Sequence, residues 1–128
     1  MNQMKERVLL DEIADGEELN VVLNLGEGEV GFGSVLPVGE DDDQFRSNQY
    51  MSRFNKGDFD ASKPFEDFLS ESTLYTGSAK TRLEGLNQIL DFWGIEPVSD
   101  VHVSKFEQDK DAVDELLASG NDFVIYML

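Results

Sequence analysis

An α+β fold, with a C-terminal strand–helix–strand unit in a mixed sheet, is predicted by three features of the 128-residue chain. "ELNVVLNL" (18–25) alternates apolar and polar residues as a half-buried strand does. "TRLEGLNQILDFWG" (81–94) is an amphipathic helix with a start signal and a stop signal. "FVIYML" (123–128) is continuously apolar and follows a second helical stretch, the pattern of a strand covered on both faces. The length suits one compact domain over 1–128, and 40% hydrophobic residues with nine Phe supply core material for it.

In chain order, Met4, Val8, Leu9 and Ile13 recur near a 3.6-residue period, which predicts an N-terminal helix over 2–15 ended by Gly16. Leu19, Val21, Leu23 and Leu25 then share one face of a strand. "VGFGSVL" (30–36) resumes an extended pattern, so the two strands pair as a β-hairpin turned by glycine. Residues 37–62 are polar and irregular, but Phe45, Tyr50, Met51, Phe54 and Phe59 imply a packed segment with a helix near 43–54. Ser62 caps a short helix that carries Pro64 early and Phe65, Phe68 and Leu69 on one side. Thr81 and Glu84 form a capping box for the helix bearing Leu83, Leu86, Leu90 and Trp93, and Gly94 ends it. A strand over 98–106, a helix over 109–119 stopped by Gly120, and the final strand complete a unit compatible with a right-handed parallel crossover. No internal repeat is present.

Charge is the chain's strongest feature: ten basic residues against 27 acidic ones give −17. The excess is not a tail, because residues 1–64 carry −8 and residues 65–128 carry −9. Such a surface repels itself, so solubility, salt adaptation or a positively charged partner must favour it. Membrane surfaces and nucleic acids are anionic and are not expected as direct partners. With no cysteine and no apolar run long enough to span a bilayer, the expected setting is the cytoplasm.

Gly26, Gly28 and Gly31 match G-x-G-x-x-G. A dinucleotide fingerprint needs a helix after the glycines to face a pyrophosphate, and here a strand follows. "LGEGEVGFGSV" locally resembles the glycine loop of protein kinases, which lies in a hairpin. The resemblance covers about a dozen residues: Gly33 stands where that loop usually has Val, no V-A-I-K or H-R-D segment follows, and "GDFD" is not D-F-G. The glycines are therefore read as serving the turn. Asp58, Asp60 and Ser62 begin like an EF-hand loop, but Lys63 and Leu69 stand where Gly and Glu are required, so no metal is expected. His102, the one histidine, lies between valines in a strand and reads as structural. Ser34 is out of frame for a nucleophile elbow. Neither an enzyme nor a cofactor is expected.

What remains is a carboxylate surface for a basic partner. In composition the chain is similar to barstar-like inhibitors and to DNA mimics. The expected function is a small inhibitor or immunity-type protein that blocks a basic nucleic-acid-handling enzyme: a nuclease toxin, or a restriction or CRISPR effector. Carboxylates two residues apart on an extended strand repeat at about 6.6–6.8 Å, the scale of successive phosphates. Glu27 with Glu29 and Asp58 with Asp60 have that sequence spacing, and Asp41, Asp42 and Asp43 form the densest run. Tyr50 and Phe54 flank the acidic middle segment as aromatic anchors. The competing reading is a generic acidic α+β domain whose charge serves solubility or a salty environment, with a small-ligand or assembly role.

Overall fold

A computed structural model of the protein describes residues 7–9, 17–37, 47–60, 62–68, 73–77, 79, 81–99 and 101–128. These residues form one seven-stranded mixed sheet and two α-helices, the expected α+β architecture. In chain order the elements are β1 (Arg7–Leu9), β2 (Leu19–Gly26), β3 (Glu29–Pro37), β4 (Ser47–Asn55), β5 (Thr73–Gly77), α1 (Arg82–Phe92), β6 (His102–Lys105), α2 (Asp109–Ser119) and β7 (Phe123–Met127). The strand order is β1-β6-β7-β2-β3-β4-β5. Only β6 and β7 pair in parallel, and α2 joins them as the sequence predicts.

The sheet is covered on both faces, so its central strands alternate between two apolar layers rather than between core and water. Leu19, Val21 and Leu23 of β2, with Ile125 and Met127 of β7, pack toward Leu86, Ile89 and Leu90 of α1. Val22, Val124 and Tyr126 point the other way, to Ala112, Val113 and Leu116 of α2. That two-sided burial is why "FVIYML" carries no polar alternation. In the same layer as α2, Phe54, Phe59, Phe65 and Phe68 form an aromatic cluster with ring centroids 5.2–6.0 Å apart.

The β2–β3 hairpin closes through Glu27 and Gly28, whose φ angles are +52° and +82°. Positive φ at both central positions is the type I′ requirement, matched to the right-handed twist of the strands. Gly26 also lies at positive φ, beside a register shift that sets Leu25 out of the ladder. The other two glycines do something else. Gly31 and Gly33 lie inside β3 on the α1 face. A Cβ on Gly33 would come 2.7 Å from Ile89 Cγ2, and one on Gly31 would come 3.3 Å from the Trp93 ring. Their missing side chains let α1 lie close against the sheet. The run of glycines is thus half turn and half helix seat, which corrects the reading of all of them as turn residues.

Glutamate at a left-handed position costs about 1 kcal/mol, a penalty that asparagine largely escapes. Glu27→Asn is therefore expected to stabilise the protein by about 0.5–1 kcal/mol, measured as a raised urea midpoint with unchanged slope. A lowered midpoint would contradict the turn assignment.

Helix α1 starts as the capping box predicts, with the Glu84 N–H donating to Thr81 Oγ1 at 3.0 Å. Thr81→Ala should cost about 1 kcal/mol in the same assay. Its far end folds back through the Ile95 N–H, which donates to the Leu90 carbonyl at 2.9 Å. Helix α2 ends at Gly120, whose φ is +74°.

Three expectations change. Residues 7–9 are a strand antiparallel to β6, not part of a helix over 2–15; the rest of that span lies outside the described residues. Of the helix expected near 43–54, residues 47–54 belong to β4 and 43–46 lie outside the described residues; Met51 faces one layer and Phe54 the other, and a strand buried on both sides mimics no single period. The helix after Ser62 shrinks to a 3₁₀ turn at Phe65–Asp67. Strand β5 had no counterpart in the sequence reading.

Candidate functional site

Several acidic elements meet at one end of the sheet, the end marked by the β2–β3 turn. Register brings Asn55 opposite Glu29, and the Lys56 N–H donates to the Gly28 carbonyl at 2.7 Å, so the start of the 3₁₀ turn Lys56–Asp58 is bonded to the hairpin. The Asn24 N–H donates to the Asp122 carbonyl at 2.8 Å, which fixes the α2–β7 loop at the same end. Because α1 runs from Ile89 over Gly33 to Trp93 over Gly31, its carboxyl end points there too. The carboxyl end of α2 does likewise, since it leads into β7 at Asp122.

The electrostatics of this pole follow from its parts. Glu27, Asp58, Asp91 and Asp122 are exposed and Glu29 is half-buried. Each helix terminus adds roughly half a negative charge, and neither last turn contains a basic residue to offset it. Asp91 lies in the last turn of α1, where a carboxylate is unfavourable. Among the described residues the nearby bases are Lys56 and Arg53, the latter opposite Gly31 in the ladder.

Three of the nine sequence-predicted residues, Glu27, Glu29 and Asp58, therefore come together. Their spacing is not that of an extended strand, because Glu27 occupies the turn at positive φ and Asp58 closes a 3₁₀ turn. These carboxylates therefore do not repeat as strand neighbours at the phosphate scale, while the concentration of charge stays. Asp60 belongs to another neighbourhood: its Oδ1 accepts from the Ser62 N–H at 2.9 Å and from the Ser62 hydroxyl at 2.7 Å. Those bonds, then the attraction of Lys63 and Lys110, hold its carboxyl below the usual value. Phe54 is not a surface anchor but a core residue, 5% exposed among other phenylalanines. Tyr50 is half-buried opposite Ser34, five residues and roughly 17 Å along β4 from Asn55. Asp41, Asp42 and Asp43 lie outside the described residues.

The aromatic residues that do accompany the pole are Trp93, expected on the apolar stripe of α1, and Phe92, to which the sequence assigns no role. Phe92 is 57% exposed, and its ring meets the half-buried Trp93 edge-on at 5.2 Å. Their position at the last turn of an amphipathic helix, just before Gly94, was visible in the sequence. That the turn sits beside the acidic hairpin was not.

Elsewhere, His102 is exposed and lines a shallow cleft with Ser104, Glu115 and Asn121 where β6 and β7 diverge. Its volume of about 170 Å³ falls below the ~300–1,000 Å³ of ordinary ligand pockets, and Ser104 is buried rather than presented. On the α2 face, Tyr126, Asn20, Ser34 and Tyr50 form a polar row across four strands. Two of its members bond outside the row, the Ser34 hydroxyl donating to Glu18 at 2.8 Å and the Tyr126 hydroxyl to Asp109 at 2.5 Å, while the buried Asn20 Oδ1 has no hydrogen-bond partner. Among the described residues there is no group of three or more acidic or histidine side chains disposed to hold a metal. Nor, among them, is any helix long and apolar enough to cross a membrane. No protein-family model, curated protein or solved structure with which the chain was compared matches it.

Proposed function

We propose that the protein is a non-enzymatic, cytoplasmic inhibitor or immunity-type binder that occludes the substrate surface of a basic nucleic-acid-handling enzyme. The observation that carries this reading is the acidic pole. Glu27, Glu29, Asp58, Asp91 and Asp122 meet two helix carboxyl ends, with Lys56 and Arg53 as the nearby bases. Like charges gathered this way repel one another, and the cost is relieved when a cationic surface covers them. Glu27 adds to the case, since it keeps a carboxylate at a turn position that Asn or Gly would fill with less strain. Occlusion by a charged face replaces close imitation of the phosphate spacing.

The deciding experiment is capture of binding proteins at low and at high salt, with identification of what elutes. A basic nuclease or other nucleic-acid-binding enzyme retained at low salt and released at high salt is the expected result. Recovery of none at either salt would overturn the reading. With the partner in hand, Glu27→Gln/Glu29→Gln/Asp58→Asn should slow association about tenfold at low salt and leave the urea midpoint nearly unchanged. If neutralising Asp41, Asp42 and Asp43 slows association and the hairpin triple does not, the contact lies on the middle segment.

A further inference from the structure

We infer that the contact is centred on Phe92 and Trp93 at the carboxyl end of α1, and that it takes an arginine-bearing surface of the partner protein. This rests on the acidic-binder reading above and adds to it the place and the chemistry of contact. Phe92 is the more exposed of the pair, at 57%, and is the last residue of the helix. Trp93 is held beneath it: the indole lies over Gly31, where a Cβ would stand 3.3 Å from the Trp93 ring and 3.2 Å from Leu25 Cδ1. Seating over a glycine fixes the indole, and the edge-on contact of the two rings at 81° leaves an aromatic step facing solvent. Rigid aromatic groups with little side-chain freedom left to lose are the usual anchors of protein interfaces.

The surroundings select the occupant. Asp91 and Glu96 lie next to Phe92 and Trp93 in the chain and are exposed, Glu29 shares the strand face of Gly31, Glu27 lies at the turn, and the chain's own Arg53, opposite Gly31, is a base in the same neighbourhood. The helix end adds its own negative potential with no base in the last turn. A second copy of the chain would bring these carboxylates against themselves, so self-association is disfavoured by the same charge that attracts a basic protein. Between the two cationic side chains, arginine fits better. Its planar guanidinium stacks on an aromatic face while its edge bonds a carboxylate, whereas the lysine ammonium is a more strongly hydrated point charge.

The test uses the full chain and its single tryptophan, whose fluorescence reports on this patch alone. Oligo-arginine and oligo-lysine peptides of equal length are titrated at low salt, with total binding followed by calorimetry. The expected result is a saturable change in Trp93 emission with oligo-arginine, binding weakened about tenfold by Phe92→Ala, and weaker binding of oligo-lysine. Phe92 is exposed, so the variant should keep its urea midpoint, which is measured alongside. Calorimetric binding of oligo-arginine without a change in Trp93 emission, equal affinity of the Phe92→Ala variant, equal affinity for oligo-lysine, or no binding at all would each overturn the assignment. The two readings fail separately. A basic enzyme captured equally well by Phe92→Ala overturns this site and leaves the inhibitor reading standing; peptides that bind at Phe92 with no enzyme captured do the reverse.

Discussion

Gly33→Val is expected to destabilise the protein by about 3 kcal/mol, a large share of the ~5–15 kcal/mol that a domain of this kind possesses. The reason is the 2.7 Å approach that a Cβ at position 33 would make to Ile89 Cγ2, with Val21 Cγ1 at 3.3 Å on the other side. Ile89 is fully buried and β-branched, so Cγ2 does not swing away without leaving its rotamer. Either α1 lifts from the sheet, opening the layer formed with Val21, Val35 and Met51, or the strand distorts. Gly33→Ala should cost about 1–2 kcal/mol by the same clash. The check is a double-mutant cycle in urea with Ile89→Ala, which alone should cost about 2–5 kcal/mol. Because truncating Ile89 removes the obstructing methyl, the pair should cost at least about 1 kcal/mol less than the sum of the singles. Strict additivity would show that Gly33 is there for another reason.

Tyr126→Phe is expected to lower stability by about 1.5–3 kcal/mol at neutral pH, the usual worth of a hydrogen bond to a charged group. The phenol is fully buried, and its hydroxyl donates to Asp109 Oδ1 at 2.5 Å, tying β7 to the first turn of α2. Burial, the Asp109 charge, the hydrogen bond to Asp109 and the more distant Glu18 all push the phenol's pKa well above its ordinary value. A group whose pKa is raised by folding contributes stability that is fully present below the unfolded value, about 10 for tyrosine. That contribution is lost as pH rises through the higher folded value. The wild-type urea midpoint should therefore fall above about pH 10, and the difference between wild type and Tyr126→Phe should shrink over the same range. A difference that stays constant through the alkaline range would mean that the phenol is not held by Asp109.

The two cases differ in how far they could be read in advance. The strand containing Tyr126 was plain from its apolar run, but nothing near it in sequence indicates Asp109, 17 residues away across the parallel crossover. Gly33 was in view from the start, counted with three other glycines as part of a turn. Two glycines separated by one residue share a strand face. That spacing at 31 and 33 signals a close approach as readily as a turn, and the helix that approaches comes some fifty residues later. The candidate site divides in the same manner. Glu27, Glu29 and Asp58 were legible as acidic residues near a hairpin, yet Phe54, offered both as a packed residue and as an anchor, is core alone, and the aromatic pair beside the acids comes from α1.

By itself the sequence determined what depends on neighbours a few residues apart: the alternation of β2, the Thr81 cap, the stop at Gly120, the turn at Glu27–Gly28, and a charge of −17. Strand periodicity, capping and turn chemistry act over two to four residues, so they are written locally. The tertiary structure alone decided that residues 7–9 pair with β6 and that β4 is a strand. It also decided which face each apolar side chain serves, and that two helix ends and three acidic segments converge at one pole. Those outcomes depend on hydrogen bonds and packing between segments far apart in the chain, and no local period records which distant strand or helix will supply the partner.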